Sequence, residues 1–179
     1  MPYRPLRVLW VEDKTQLELA YLIPPVLLDG HYDLEIAHNA SEVVERLGLK
    51  VQHPFDILIF DLDIPPGEWP EFKDLYTRFE PRGQGPAMLG LELLYLMRRG
   101  EGRHFKGALG TLMKQMHTTY RDVPIGVFSI YTKRYEIELA KLLNLTRAEC
   151  QHRLVQKHAG MPRTTLLRLV RHLSGFVEG

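Results

Sequence analysis

The sequence lacks several features that would assign it to a specialised class of protein. Its single cysteine, Cys150, among 179 residues excludes an internal disulfide and fits a reducing, cytoplasmic location. No apolar run is long enough for a membrane span, and the N-terminal residues do not resemble a signal peptide. The formal net charge is only +1, so charge alone does not favour binding to nucleic acid or to a membrane.

The composition and length otherwise indicate an ordinary globular protein. Apolar residues make up 45% of the chain and charged residues 25%, which is typical of a domain with a well-formed core. No glycine-rich phosphate loop or dinucleotide fingerprint occurs. We therefore expect a single domain over residues 1–179 whose chemistry depends on other motifs.

Five short apolar segments alternate with helical patterns along the chain. Such an alternation predicts a parallel sheet with helices on both faces, which is an α/β fold. The predicted strands cover residues 7–11, 34–37, 57–60, 125–129 and 154–156. The predicted helices cover residues 15–28, interrupted or kinked at Pro24-Pro25, then 41–47, 91–97, 133–143, a short one after Thr146, and a last one with Pro162 near its start.

The segment "FDILIFDLDIPPG" places two carboxylates, Asp61 and Asp63, directly after a buried strand. Polar side chains also lie at the ends of other predicted strands. Glu12 and Asp13 follow the first strand, Ser129 ends the fourth, and Lys157 follows the fifth. The carboxyl ends of parallel strands form one edge of a sheet, where ligands bind in such folds. We therefore expect these side chains to converge.

Convergent carboxylates repel one another unless a cation holds them. An oxygen-rich, acidic site suits Mg²⁺, with Glu12, Asp13, Asp61 and the Asp63 carbonyl as candidate ligands and phosphate oxygens completing the shell. Asp61 would then be a nucleophile that forms an acyl phosphate, while Lys157 and the Ser129 hydroxyl would stabilise the phosphoryl oxygens. Each residue taken alone also has an ordinary structural role, such as a turn, a helix cap or a solvated lysine.

The motifs together resemble those of a response-regulator receiver domain. The segments that carry this resemblance are "VLWVEDK", "DILIFDLDIPPG", "GLELLYLMRR", "VPIGVFSIYT" and "RLVQK". The resemblance implies a flavodoxin-like (βα)5 doubly wound fold and a two-component signal-transduction role. In that role Asp61 would accept a phosphoryl group from a phosphohistidine with Mg²⁺, Glu12 and Asp13 would be the acidic pair, and Ser129 and Lys157 would be the conserved hydroxyl and lysine.

The chain departs from the family pattern at three positions and in length. Ile130 follows the hydroxyl residue where a small residue is usual, His158 follows the lysine where proline is usual, and Leu154 replaces an aromatic residue. The chain also exceeds the roughly 125 residues that five strand–helix units require. Most of the excess lies in two predicted insertions, at about 68–89 and 101–122.

Two other functions are compatible with these residues. One is a degenerate receiver that serves as a phosphorylation-independent interaction module, which the three departures favour. The other is a haloacid-dehalogenase-like phosphatase, because "LIFDLDIPPG" resembles the first motif of that superfamily. The order of the motifs argues against the phosphatase. Glu12-Asp13 precede Asp61, and Glu178 is the only acidic residue after Lys157, where that superfamily has a further acidic motif.

The resemblance also carries expectations about partners. It implies a sensor histidine kinase or a phosphotransfer protein as donor, a downstream protein partner, and a stand-alone receiver without direct DNA or membrane binding. The second insertion carries an apolar stripe at helical spacing, which predicts either a helix packed on its own domain or a docking face for a partner or a second copy. The stripe consists of Phe105, Leu109, Leu112, Met113 and Met116.

Overall fold

The computed structural model describes residues 4–15, 18–49, 54–79, 88–104 and 110–175. Five parallel strands form one sheet in the order β2-β1-β3-β4-β5, which confirms the predicted flavodoxin-like α/β fold. The strands are β1 (Leu6–Val11), β2 (Tyr32–Ala37), β3 (Ile57–Phe60), β4 (Ile125–Ser129) and β5 (Leu154–Gln156).

Helices cover both faces of this sheet. They are α1 (Ile23–Asp29), α2 (Ala40–Val44), α3 (Pro70–Phe79), α4 (Leu89–Arg99), α5 (Gly110–Tyr120), α6 (Thr132–Leu143), α7 (Arg147–Arg153) and α8 (Thr165–Ser174). None of the helices in the described ranges has the length and apolar character that crossing a lipid bilayer requires.

The central strands β1, β3 and β4 are mostly apolar because both of their faces are buried, whereas the edge strand β2 contains Asp33 and Glu35. Along β1, Val8 and Trp10 point to the core under α1 and α8, whereas Leu9 and Val11 join the larger core on the opposite face. The side chains of Ile57–Phe60 in β3 alternate between the same two cores, as the two-residue period of a strand requires. This double burial explains why the sequence shows continuous apolar runs rather than alternation.

The first helix differs from its predicted bounds. A single 3-10 turn, Ala20–Leu22, precedes α1, which begins only at Ile23. Pro24 and Pro25 therefore lie in the first turn, where a missing N–H is tolerated, rather than kinking a longer helix. The last helix likewise begins later than predicted, because Pro162 precedes α8 and its carbonyl accepts a hydrogen bond from the Thr165 N–H at 2.9 Å.

The two predicted insertions contain α3 and α5, respectively. In α5, Met113 and Met116 are buried in the core that also contains α4, and Leu112 lies against Gly48. These contacts favour the interpretation of α5 as a helix packed on its own domain. The other members of the predicted stripe, Phe105 and Leu109, lie outside the described residues.

The start of α4 lies directly against the end of β3. The Gly90 N–H donates a hydrogen bond to the Leu62 carbonyl at 3.0 Å, and a β-carbon at Gly90 would lie 1.9 Å from the Asp61 carbonyl oxygen. Only glycine therefore fits at this position without a shift of the backbone that carries Asp61.

We predict that Gly90→Ala lowers the free energy of unfolding by about 1–3 kcal/mol, the usual effect of overpacking. Urea denaturation measures this change. Gly175→Ala is the matched control, because Gly175 has φ −59° and its nearest contact, the His172 carbonyl, would lie 3.5 Å from a β-carbon. Equal stability of the two variants would contradict the close approach of α4 to β3.

Candidate phosphoryl-acceptor site

The sheet itself positions the polar residues, because its hydrogen bonds continue past the strand ends. The Asp61 N–H donates to the Val11 carbonyl at 2.9 Å, and the Lys157 N–H donates to the Ser129 carbonyl at 3.1 Å. The Glu12 N–H donates in the same way to a carbonyl of β2 at 2.9 Å. The backbone of Asp61, Lys157 and Glu12 is therefore held by the same kind of interstrand hydrogen bond as the strands themselves.

The ammonium group of Lys157 joins two carboxylates that come from different strands. Its Nζ lies 2.5 Å from Asp61 Oδ2 and also contacts the Glu12 carboxylate. All three residues are at least nine-tenths buried, with exposed fractions of 8% for Lys157, 4% for Asp61 and 0% for Glu12. Burial protects this ion pair from water, so its attraction is much stronger than that of a surface salt bridge.

Three carboxylates gather at this edge of the sheet. Ligand oxygens of Glu12, Asp13 and Asp61 all lie within 4.8 Å of one another. Within the described part of the chain, no group donates a hydrogen bond to the buried Oδ1 atom of Asp13. A cluster of carboxylate oxygens with one buried oxygen unsatisfied fits a small, hard divalent cation such as Mg²⁺, which prefers oxygen ligands. The acidic cluster can therefore bind a metal ion.

Burial and the neighbouring charges raise the pKa values of two carboxyl groups at the site. Burial raises the pKa of Glu12 from 4.5 to about 7; the charge of Lys157 opposes this rise, and the charge of Asp61 adds to it. Burial also raises the pKa of Asp63, with further contributions from the charges of Asp61 and Asp13. Both shifts mean that the ionised carboxylates are disfavoured at this site, which a bound cation would reverse.

Asp63 and Ser129 occupy different positions relative to this cluster. The Asp63 N–H donates to Asp61 Oδ1 at 3.3 Å, and its half-buried side chain lines the same cleft as Asp61. Ser129 is fully buried at the end of β4, where its hydroxyl oxygen accepts a hydrogen bond from the Tyr131 N–H at 3.3 Å. Among the described residues, Ser129 is not part of the cleft wall.

A cleft of about 500 Å³ lies over Asp61. One part of its wall is polar and includes the carboxylates and the lysine described above, and the other part is mostly apolar. The polar side chains are Asp13, Lys14, Glu18, Asp61, Asp63, Lys157 and His158, and the remaining lining residues are Leu19, Tyr21, Pro65, Tyr76, Ile130, Ala159, Gly160 and Met161.

Sequence reasoning identified Asp13, Asp61, Asp63 and Lys157 as site residues. It missed four other residues that line the cleft, Lys14, Glu18, Tyr21 and Tyr76. Tyr21 lies in the 3-10 turn before α1, and Tyr76 lies on α3 in the first insertion. No motif marks either tyrosine, because their positions depend on how two irregular segments fold back over the sheet edge. Thr132 was also missed; its hydroxyl donates to the carbonyls of Ser129 and Val155, at 2.8 and 3.0 Å, and so ties β4 to β5 beside Lys157.

Comparison with known proteins agrees with this geometry. No protein-family model matches the chain, and no curated protein sequence matches it. Among solved structures, the non-phosphorylated HemR receiver domain from Leptospira biflexa matches with 19% identity and a TM-score of 0.52, over 96% of this chain and 95% of that one. The bacteriophytochrome response regulator AtBRR matches with 12% identity and a TM-score of 0.51, over 96% and 94% of the two chains.

The chain has the fold of response-regulator receiver domains. The acidic cluster lies at the carboxyl edge of this receiver fold, where the resemblance in sequence predicts the phosphorylation site. Two of the departures from the receiver pattern lie at the cleft. Ile130 is 49% exposed and, like the exposed His158, lines the cleft beside Lys157.

We predict that the raised pKa of Glu12 makes the metal-free protein less stable as pH rises from about 4.5 to about 7. The folded state holds a proton on Glu12 over this range while the unfolded state has lost it, so the free energy of unfolding falls with rising pH. Relative to Glu12→Gln, the wild-type protein should lose roughly 1–3 kcal/mol between pH 5 and pH 8 in EDTA.

Chemical denaturation of both proteins across this pH range measures the difference. Added Mg²⁺ should restore the lost free energy of unfolding at pH 8. A bound cation stabilises the ionised carboxylate of Glu12 and interacts more weakly with the neutral amide of the Glu12→Gln variant. Parallel pH profiles of the two proteins in EDTA would contradict the raised pKa.

Proposed function

We propose that the protein accepts a phosphoryl group on Asp61 in a Mg²⁺-dependent reaction and acts in two-component signal transduction. The observation that carries this proposal is the contact of the buried Asp61 carboxylate with Lys157, beside the acidic cluster with Glu12 and Asp13. A nucleophilic carboxylate, a cation beside it and an oxygen-rich metal site are the parts that phosphoryl transfer to aspartate requires.

Each residue has a distinct role in this reaction. An Asp61 carboxylate oxygen attacks phosphorus, and the leaving group departs from the opposite side with the electron pair of its bond. Lys157 then moves from the carboxylate oxygen to a phosphoryl oxygen, whose charge it offsets. Bound Mg²⁺, held by Glu12, Asp13, Asp61 and the Asp63 carbonyl, would supply further neutralisation of the phosphoryl oxygens. The Ser129 hydroxyl would turn from its local contact to donate a hydrogen bond to the same group.

The proposed role extends to the rest of the chain. We infer that residues 1–179 form one receiver-like domain, with insertions at about 68–89 and 101–122 that contain α3 and α5. The donor would be a sensor histidine kinase or a phosphotransfer protein, and the output a contact with a downstream protein partner. These partners follow from the receiver fold as a class, and a homodimer is one form that the output contact could take.

The two alternative functions have weaker support. The phosphatase interpretation depends on the Asp61-Leu62-Asp63 motif with a later serine and lysine, whereas HemR and AtBRR, two solved structures that match the chain, are a receiver domain and a response regulator. The interaction-module reading depends on Ile130, Leu154 and His158, but a degenerate site has no need to keep Lys157 buried against two carboxylates at the cost of desolvating all three.

We predict that incubation with acetyl phosphate and Mg²⁺ adds one phosphoryl group to the wild-type protein and none to Asp61→Asn. An amide at this position has no anionic oxygen with which to attack phosphorus. Mass spectrometry of the intact protein measures the label, and an assay of acid-labile phosphate measures it independently.

Asp56→Asn is the matched control, because Asp56 precedes the same strand at its opposite end and pairs there with Arg4. This variant should label as the wild type does. Asp13→Asn should label only at higher Mg²⁺ concentration. Equal labelling of Asp61→Asn and the wild type would refute the proposed function.

We also predict that Asp63 and Ile130 set the lifetime of the phosphoryl group. The Asp63 carboxylate would hold the attacking water, so Asp63→Asn should lengthen the half-life several-fold. Ile130 narrows the cleft beside Lys157, so Ile130→Ala should speed both loading and loss. Decay of label after removal of the donor measures both effects, and unchanged decay in both variants would mean that neither side chain contacts the reacting groups.

A further inference from the structure

The inserted helix α3 contributes one wall of the cleft over Asp61. Tyr76, on this helix, lines the cleft together with Tyr21, which comes from the segment after β1. Five strand–helix units alone would not supply a helix at this point, because α3 lies between the end of β3 and α4, which itself packs on the sheet. The first insertion thus changes the surroundings of the proposed phosphorylation site.

The position of Tyr76 is fixed by the packing of its own helix. Phe72 and Leu75, one turn and one residue before it, are buried with exposed fractions of 1% and 4%. Tyr76 is half-buried and packs against the same core. A side chain held in this way offers a stable surface to a ligand in the cleft.

The loop that leads into α3 is anchored as well. The Trp69 N–H donates to the Ser41 hydroxyl oxygen at 2.9 Å, and that hydroxyl donates to the Pro66 carbonyl at 2.8 Å. Gly67, at φ +76°, packs so closely on Ser41 that a β-carbon would lie 2.6 Å from its hydroxyl oxygen. The segment between Asp61 and Tyr76 is therefore held in place by the contacts of this loop with Ser41 and by the packing of α3.

The cleft is larger than a phosphoryl group needs. Its volume of about 500 Å³ lies within the range of sites for whole small molecules, so it has room for the leaving group of the donor as well. The wall beyond the charged residues is aromatic and apolar, with Tyr21, Tyr76 and Met161 among its members. Aromatic faces favour planar rings, and they favour them more when the ring carries positive charge.

We propose that Tyr76 is a specificity-determining residue whose ring contacts the leaving group of the phosphodonor and favours an imidazole over a small non-aromatic group. This inference rests on the proposed phosphorylation of Asp61. In the step itself, an Asp61 oxygen forms a bond to phosphorus while the phosphorus–nitrogen bond of a protonated N-phosphoimidazole breaks. The electron pair stays on that nitrogen, and neutral imidazole leaves with its proton on the other nitrogen.

The test compares two small donors that differ in their leaving groups. N-phosphoimidazole has an aromatic ring, whereas phosphoramidate has the same phosphorus–nitrogen bond without one. Tyr76→Leu should reduce kcat/KM for N-phosphoimidazole about 3- to 10-fold, the effect expected for loss of one aromatic contact, mainly through a higher KM. The value for phosphoramidate should change less than about twofold, and Tyr76→Phe should behave as the wild type with both donors.

Three results would contradict the proposal. An equal loss with both donors, or no loss with either, would overturn the role of Tyr76 and leave the phosphorylation of Asp61 intact. Failure of the wild-type protein to label with either donor would overturn the proposed function, and the role of Tyr76 with it. Tyr76→Met is a second variant without an aromatic ring and should show the same selective loss with N-phosphoimidazole. Thermal unfolding of each variant verifies that it is folded.

Discussion

The contact of Lys157 with Glu12 and Asp61 is the interaction on which the rest of the site depends. It draws one charged side chain from each of three strand ends, after β1, β3 and β5, into a space that water barely reaches. Burying three charges is costly unless each is paired. The strand order that separates β5 from β3 by β4 leaves the long lysine side chain to span this distance, packed over the ring of Phe128 at 5.5 Å.

The same arrangement leaves an excess of negative charge that gives the site its chemistry. One ammonium group faces Glu12 and Asp61, with Asp13 and Asp63 nearby. Burial, together with the neighbouring carboxylate charges, raises the pKa values of Glu12 and Asp63. A bound divalent cation would relieve this excess, and in the proposed reaction Lys157 would contact the oxygens of the phosphoryl group. The repulsion between the carboxylates would thus favour binding of a divalent cation, which the proposed phosphoryl transfer requires.

The strands and the charged residues could be predicted because they depend on local patterns. The run Ile57–Phe60 can be buried on both faces only as a central strand, and the polar residues that follow such strands must meet at one edge. The close approach of Gly90 and the position of Tyr76 could not be predicted in this way. Each depends on how an irregular segment packs against residues far away in the chain, which no spacing in the sequence encodes.

The central claim is that the acidic cluster and Lys157 together bind a cation and a phosphoryl group. Trp10 offers a direct probe, because its ring packs against Phe128 at 6.0 Å, and Phe128 in turn contacts the Lys157 ammonium. The decisive measurement is Trp10 fluorescence in a Trp69→Phe background during titration with Mg²⁺ and beryllofluoride, a phosphoryl mimic. The account predicts a saturable change that requires both components and disappears in Asp61→Asn. The absence of any change, or the same change in Asp61→Asn, would contradict it.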